Sequence, residues 1–274
     1  MFNTFKQLAL IVALLSTTLQ AIETTDYLNE DNCDQILDKE FFQICYDYNL
    51  KAPKAVSYTL YGDLVNETNI EKKPSFKIDR EIEKAYRASS SDYRKSGYDR
   101  GHLANDASFD WSQESLESTY KLSNIIPQAR KVNRYTWIKA ERYARFVATQ
   151  LGNVEVINLV EYSDEPQRIG KNQIAIPSGF YKILYNDDQN YSKCLYYKND
   201  NDINTKEDKL KQHEVECSMV TDILSSSTTT ATLTKRTCSS FKTHLEAQTY
   251  YDNQEYGWER LDRDKDGIAC ESLK

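Results

Sequence analysis

The sequence predicts an α+β protein followed by a small, separate C-terminal module. Three observations predict it. Short runs rich in β-branched and aromatic residues at 55–64, 154–162 and 174–185 have strand character. One segment, 133–150, has few β-branched residues and many long side chains, and is expected to be a helix. A Ser/Thr-rich stretch, Ser225 to Thr234 (SSSTTTATLT), has almost nothing to bury and is expected to be a linker. The expected divisions are 1–21, 22–224, 225–236 and 237–274.

The first of these divisions has the form of an export signal. Lys6 supplies a positive charge, Leu8 to Leu15 is an apolar run, and small and polar residues lead to a cleavage site at Ala21. The run is too short to span a bilayer comfortably, and no later stretch comes close to spanning one. The mature chain is therefore expected to be soluble and secreted or periplasmic. Six cysteines fit an oxidising compartment. They fall into three sequence-local pairs, Cys33 with Cys45, Cys194 with Cys217 and Cys238 with Cys270. This pairing is a preference among the fifteen connectivities that six cysteines allow. None has zinc-ligand spacing, so they read as staples.

In 22–224 the elements come in this order. A polar stretch holds Cys33 and Cys45, and a strand follows at 55–64. A charged segment, 82–99, leads into Asp99-Arg100-Gly101-His102. The helix at 133–150 precedes a strand at 154–162. Ile174 to Tyr185 (IAIPSGFYKILY) reads as two strands broken at Pro177-Ser178-Gly179. Residues 198–216 are highly charged and are expected to be exposed.

The chemistry centres on His102. The chain has only three histidines. A neutral imidazole can accept a proton from water near pH 7, and a neighbouring guanidinium can hold a phosphate. The net charge of −7 weighs against a nucleic-acid partner, but it hides its distribution. Between Lys121 and Arg145 stand seven basic residues and one acid, Glu141, giving a local charge of +6. Within the expected helix, Asn133, Trp137, Glu141 and Arg145 recur every four residues and form one slanted stripe. A solvent-facing Glu141–Arg145 ion pair of small value would explain part of it. The alternative is a site in which His102, on a strand facing Asn133, deprotonates water. Mg²⁺, which favours oxygen ligands and keeps several waters, would sit on the asparagine oxygen.

Taken in order, Asp99-Arg100-Gly101-His102, then Ser123-Asn124-Ile125-Ile126-Pro127-Gln128, then the Asn133, Trp137, Glu141, Arg145 stripe resembles the DNA/RNA non-specific endonucleases. Ile176 to Lys182 is similar to a later strand pair of that family. The resemblance covers roughly residues 50–220. It implies a ββα-metal (His-Me finger) nuclease core with a central antiparallel sheet and flanking helices. It also implies hydrolysis of DNA and RNA with Mg²⁺ or Mn²⁺, 5′-phosphate ends, and binding through the phosphate backbone. His102 would be the general base and Asn133 the direct metal ligand. Glu141 would hold the ion's water or help protonate the leaving group. Arg145 would bind phosphate, Arg100 would support the site, and Asp99 would orient the motif. Lys73 is the candidate for an upstream cation, with Arg130 and Arg134 as further substrate contacts. Asn124 and Gln128 are expected to be hydrogen-bonding supports. Family members commonly carry proline where Asn105 stands, so a different local turn is expected there. His213 and His244 have no constellation around them. The resemblance also allows a homodimer.

The C-terminal module carries a second signal. Asp262, Asp264 and Asp266 followed by Gly267 match the opening of a calcium loop. Leu273 stands where an EF-hand has its glutamate, and Glu271 is the nearest substitute. With Cys238, Phe241 and Tyr250, the segment resembles the excalibur calcium-binding domain, which implies a Cys238–Cys270 disulfide and bound Ca²⁺. A module this small needs such staples. Two other readings remain open. One is a calcium-binding surface protein with a vestigial nuclease site, and the other is a phosphodiesterase acting on nucleotides. The four site residues together argue against decay, and the local +6 charge favours a polymer.

Overall fold

In chain order the elements are β1 (Gln35–Asp38), β2 (Gln43–Asp47), β3 (Ala52–Tyr61), β4 (Tyr98–His102), α1 (Gln113–Thr119), β5 (Ile125–Ala129), α2 (Trp137–Leu151), β6 (Asn153–Glu161), β7 (Arg168–Ile169), β8 (Ile174–Ala175), β9 (Gly179–Asn186), β10 (Tyr191–Lys198) and β11 (Glu214–Val215). This computed structural model describes residues 27–67, 69–218 and 220, with Cys238, Phe241, Ala247, Gln248, Tyr251, Leu261, Ala269 and Cys270. The export signal, the linker, His244 and the calcium candidates Asp262, Asp264, Asp266 and Glu271 lie outside the described residues.

The class is α+β. Seven antiparallel strands form one sheet in the order β1-β2-β3-β6-β9-β10-β11, and β4 pairs with β5 in a separate ribbon. The central strands β3, β6 and β9 are buried on both faces, so their sequences read as near-continuous apolar runs. Side chains still alternate between faces. Val56, Tyr58, Leu60, Val154, Val156, Val160, Phe180 and Leu184 share one core with Trp137, Ala140, Ala144, Val147 and Ala148 of α2. Ala55, Ile157, Leu159, Ile183 and Tyr185 face the other way, toward Tyr27, Leu28 and Val220.

α2 lays Trp137, Ala140, Ala144, Val147 and Ala148 on the sheet, a spacing of three and four that makes one buried face. It stops at Gly152, whose φ of 87° is open to glycine without strain. The first turn departs from the sequence expectation. Residues 132–136 form a wide π-type turn, and the α-helix begins only at Trp137. Such bulges are frequent at functional sites.

The expected strands fall at 52–61, 153–161, 174–175 and 179–186, within three residues of the sequence reading. The sequence reading did not anticipate β1, β2, α1, β5, β7, β10 or β11. Residues 198–216 are largely exposed, as expected, with Asn199 buried. Asp208 is drawn into the fold by Lys139 at 2.7 Å and by His213 at 2.6 Å. All three nearest-neighbour disulfides are present: Cys33–Cys45, Cys194–Cys217 and Cys238–Cys270. Around the last of them, Phe241, Ala247, Leu261 and Ala269 form a small core of their own.

Candidate active site

β4 ends at His102, opposite Ile125 of β5. Gly101 lies against the Gln128 side chain, where a Cβ would collide, so the ribbon closes only with glycine at this position. The turn after His102 is fixed by Asn124. Its Nδ2 donates to the Ala104 and Thr119 carbonyls at 2.8 and 2.9 Å, and its Oδ1 accepts from the Ala104 N–H at 2.8 Å. Asn124 is thus the hydrogen-bonding support the motif implies. Gln128 is fully buried, and neither atom of its amide has a hydrogen-bond partner.

The His102 ring lies 4.9 Å from Tyr120 and 5.4 Å from Phe76, centroid to centroid. Lys77 pairs with both flanks of Tyr120–Leu122 through the backbone, which brings Phe76 into place. Burial pushes the imidazole down to about 4; Lys73 and Arg100 push the same way, and Asp106 opposes them. The ring is therefore neutral at pH 7. Its Nε2 is buried without a partner. The Arg100 guanidinium packs 4.5 Å over the Phe76 ring.

At the other end of β4, Asp99 receives Arg134 in a fork, Nε at 2.6 Å and Nη2 at 2.9 Å. Asn133 Nδ2 donates to the same carboxylate at 3.3 Å, and Arg130 stands 3.8 Å away. The sequence placed Asn133 facing His102; the contact observed is with Asp99, three residues earlier. It has a chemical consequence. Asp99 is an acceptor, so the amide nitrogen of Asn133 must face it. That leaves Asn133 Oδ1 with no hydrogen bond among the described residues, the oxygen donor a hard cation favours. The fork also changes Arg134, expected as a substrate contact. Asp99 occupies it, while Arg130, equally exposed, is held more loosely at 3.8 Å.

The stripe on α2 is not a solvent-facing ion pair. Trp137 is fully buried, edge-on to Phe180 at 4.9 Å and Tyr197 at 5.3 Å. No ion pair joins Glu141 and Arg145 among the described residues; Arg145 Nη1 reaches Ser108 Oγ at 3.5 Å. Burial raises the Glu141 carboxyl, Lys182 and Arg145 pull it back, and Asp106 raises it again. Desolvation thus acts with opposite sign on the two groups, pushing the imidazole toward the base form and the carboxyl toward the acid form.

Of three further features, the sequence reading anticipated only the different turn at Asn105. Asp106 interacts electrostatically with both His102 and Glu141 and so links the strand to the helix. Tyr120 Oη donates to it at 2.9 Å, and Lys73 lies 3.6 Å from it and from Asp110. Burial alone would raise Asp106, but His102, Lys73 and Tyr120 hold it below the usual carboxylate range. The local turn at Asn105 is built by its own side chain, which accepts from Ser108 Oγ at 2.8 Å and starts the turn carrying Asp106. The third feature is a buried lysine, Lys182, hydrogen-bonded to Asn158 at 2.6 Å. The signal for it was present as a charged residue inside an apolar strand. His213 is held by Asp208, by the Tyr196 carbonyl at 3.1 Å and by stacking on Tyr197.

The sequence model of the family described as DNA/RNA non-specific endonuclease matches residues 23–236, and that of the Excalibur calcium-binding domain matches residues 235–271. Human "Endonuclease G, mitochondrial" is 32% identical over 164 residues, 55% of this chain and 54% of the relative. The "Mitochondrial nuclease" of Saccharomyces cerevisiae is 29% identical, covering 54% and 49%. The chain spans about half the length of the curated relatives it matches. A solved structure of the EndoG/EndoGI complex superposes with a TM-score of 0.62 at 26% identity, covering 69% of this chain and 83% of that one.

Proposed function

The chain belongs to the DNA/RNA non-specific endonuclease family, and from that premise we propose that it hydrolyses phosphodiester bonds of DNA and RNA with a divalent cation. The observation that carries this reading is the Asn133 amide, turned by Asp99 so that its oxygen has no hydrogen bond among the described residues, on the turn that leads into the helix bearing Glu141 and Arg145. Asn133 would hold Mg²⁺ or Mn²⁺, which when bound supplies polarisation of the phosphate and stabilisation of the leaving oxygen.

The chain's own residues supply the rest. His102, neutral at pH 7, takes the proton of the attacking water. Glu141, its carboxyl raised by burial, carries a proton toward the leaving oxygen. Arg145, which makes no ion pair among the described residues and reaches Ser108 at 3.5 Å, neutralises phosphate charge, and Lys73 adds a point charge beside Asp106. Arg130 and the other exposed cations between Lys121 and Arg145 hold the backbone without reading bases.

The three disulfides support export to an oxidising compartment, secreted or periplasmic. The Excalibur match supports Ca²⁺ on Asp262, Asp264, Asp266 and Glu271. No helix among the described residues is long and apolar enough to cross a membrane.

The test is to incubate the protein with plasmid and with RNA, with Mg²⁺ and with a chelator, beside His102→Ala. Degradation of both polymers by the parent with Mg²⁺, and a loss of about 10²- to 10⁴-fold in the variant, is expected. Equal degradation by the variant, or none by the parent, would sink the mechanism.

A further inference from the structure

Lys182 is fully buried on β9, beside Asn158 of β6 in the register of the central sheet. Both face the core beneath α2, by the alternation that puts Phe180, Leu184, Val156 and Val160 there. A buried ammonium is expensive, and the one hydrogen bond and the ring contact it makes offset that cost only in part. Stability alone therefore does not explain its presence. Among the described residues Lys182 makes no ion pair. Its Nζ donates to Asn158 Oδ1 at 2.6 Å and lies 4.5 Å from the centre of the Trp137 ring.

We propose that Lys182 is a positioning residue for the hydrolytic site, fixing the Asn158 amide against the strand end that carries His102 and bracing the helix that carries Asn133 and Glu141. This rests on the nuclease reading given above.

The argument begins with the amide. Burial pushes the Lys182 amine down to about 7, with Glu141 opposing, and in the contact observed Nζ is the donor, so Asn158 turns its oxygen to Lys182 and its nitrogen away. That nitrogen then donates to the Leu103 carbonyl at 2.9 Å and to Tyr58 Oη at 3.3 Å. Leu103 follows His102 directly. From the opposite side, the Leu103 N–H donates to the Asn124 carbonyl at 3.1 Å, and Asn124 grips Ala104. The backbone after the histidine is thus clamped between two asparagines, and the lysine holds the oxygen end of one of them. With Lys182 Nζ removed, Asn158 Oδ1 loses its donor and the amide is anchored only through its nitrogen, to the Leu103 carbonyl and Tyr58 Oη.

The second contact reaches the helix. Trp137 stands one turn after Asn133 and one turn before Glu141, and its ring faces the same ammonium. The positive charge also acts on Glu141, opposing the effect of burial on that carboxyl. A single buried cation therefore touches both halves of the site, and neither contact is with substrate.

The experiment uses the full chain and Lys182→Met, which keeps an unbranched stem under Trp137 and removes every donor. Lys198→Met, at the exposed end of the neighbouring strand β10, is the control. Plasmid cleavage with Mg²⁺ should show kcat lowered about 10- to 100-fold at unchanged KM, with Lys198→Met at the parent's kcat. Asn158→Leu should give a similar loss, and the double variant should be no worse than either single one, because the two residues act through one path. In metal-free protein, the imidazole NMR signal that disappears in His102→Ala should move in Lys182→Met and stay in place in Lys198→Met. Full kcat with an unmoved His102 signal in Lys182→Met overturns the proposal. If Lys182→Met does not fold, Asn158→Leu decides by the same two readouts. If the parent cleaves neither polymer, the nuclease reading falls while the NMR comparison still decides whether Lys182 positions His102.

Discussion

The two ends of β4 carry adjacent parts of one tetrapeptide and are built in opposite ways. At Asp99 the structure collects charge. Arg134 forks onto the carboxylate, Asn133 joins it and Arg130 stands near. Burial would raise this carboxyl, but these donors and charges outweigh it and hold it low. At His102 the structure removes water. Phe76 and Tyr120 flank the ring, and no partner reaches Nε2. The wet, paired end holds strand and helix together and aims an asparagine oxygen. The dry, unpaired end keeps an imidazole uncharged. A charge that is satisfied by a fork is scaffold, whereas a titratable group left unpaired is available for chemistry.

Each end can be tested against the other. The largest effect should come from acid titration of stability. The imidazole falls from an ordinary 6.5 to about 4 on folding, so its uptake of a proton favours the unfolded chain. Stability from this group is intact above about pH 6.5 and is lost as pH falls toward 4, by about 3 kcal/mol. The depressed Asp99 works in a lower window, its contribution being present above its unfolded pKa and lost as pH drops through its folded value below 3.8. The raised Glu141 carboxyl acts with the opposite sign over the same range, so the readout is a difference: in urea unfolding from pH 7 to 4, His102→Phe should gain stability relative to the parent as pH falls, and Asp99→Asn should not. Identical pH dependence in the parent and in His102→Phe would refute the dry-pocket description.

Next in size is Asp99→Asn itself. It removes the fork while keeping the shape, so Asn133 loses the acceptor that orients it. Cleavage should fall about tenfold, with a lower apparent Mg²⁺ affinity measured by metal titration. Wild-type metal dependence in this variant would break the link between the Asp99 end and the metal oxygen.

The smallest effect should separate the two arginines. Arg130→Ala removes an exposed cation and should lower the slope of log binding against log salt by about one, uniformly across sequences. Arg134→Ala should change that slope less, because Asp99 already neutralises Arg134. Equal slopes for the two variants would mean that substrate draws Arg134 out of its fork.

Much of the site was legible as type and order of residues. His102, Asn133, Glu141 and Arg145 stand in the pattern, and the three disulfides follow nearest-neighbour pairing. Trp137 announced its burial by being the one apolar member of a polar stripe. Other features depended on distant segments. Nothing near Arg134 in the sequence says that Asp99, 35 positions away, will occupy it. Phe76 reaches His102 because Lys77 pairs with the backbone around Tyr120, a contact between loops. The helix start was misplaced because a π-type turn and an α-turn share nearly the same side-chain pattern over five residues. Lys182 was visible as an anomaly, a charge in an apolar strand, but its meaning needed the neighbouring strand that brings Asn158 beside it.

The sequence by itself determined the class of the fold, the family and the chemical inventory: one histidine in a motif, one asparagine oxygen, one acid and a cluster of cations. These follow from local periodicity and from residue types whose chemistry is intrinsic. Only the tertiary structure decided which of those groups are spent on each other and which are left free. Arg134 is spent on Asp99, and that fork turns the oxygen of Asn133 outward. His102 is left unpaired, and the aromatic rings packed around it set its charge. Pairing and desolvation act over a few ångströms between residues far apart in the chain, and only folding creates those distances.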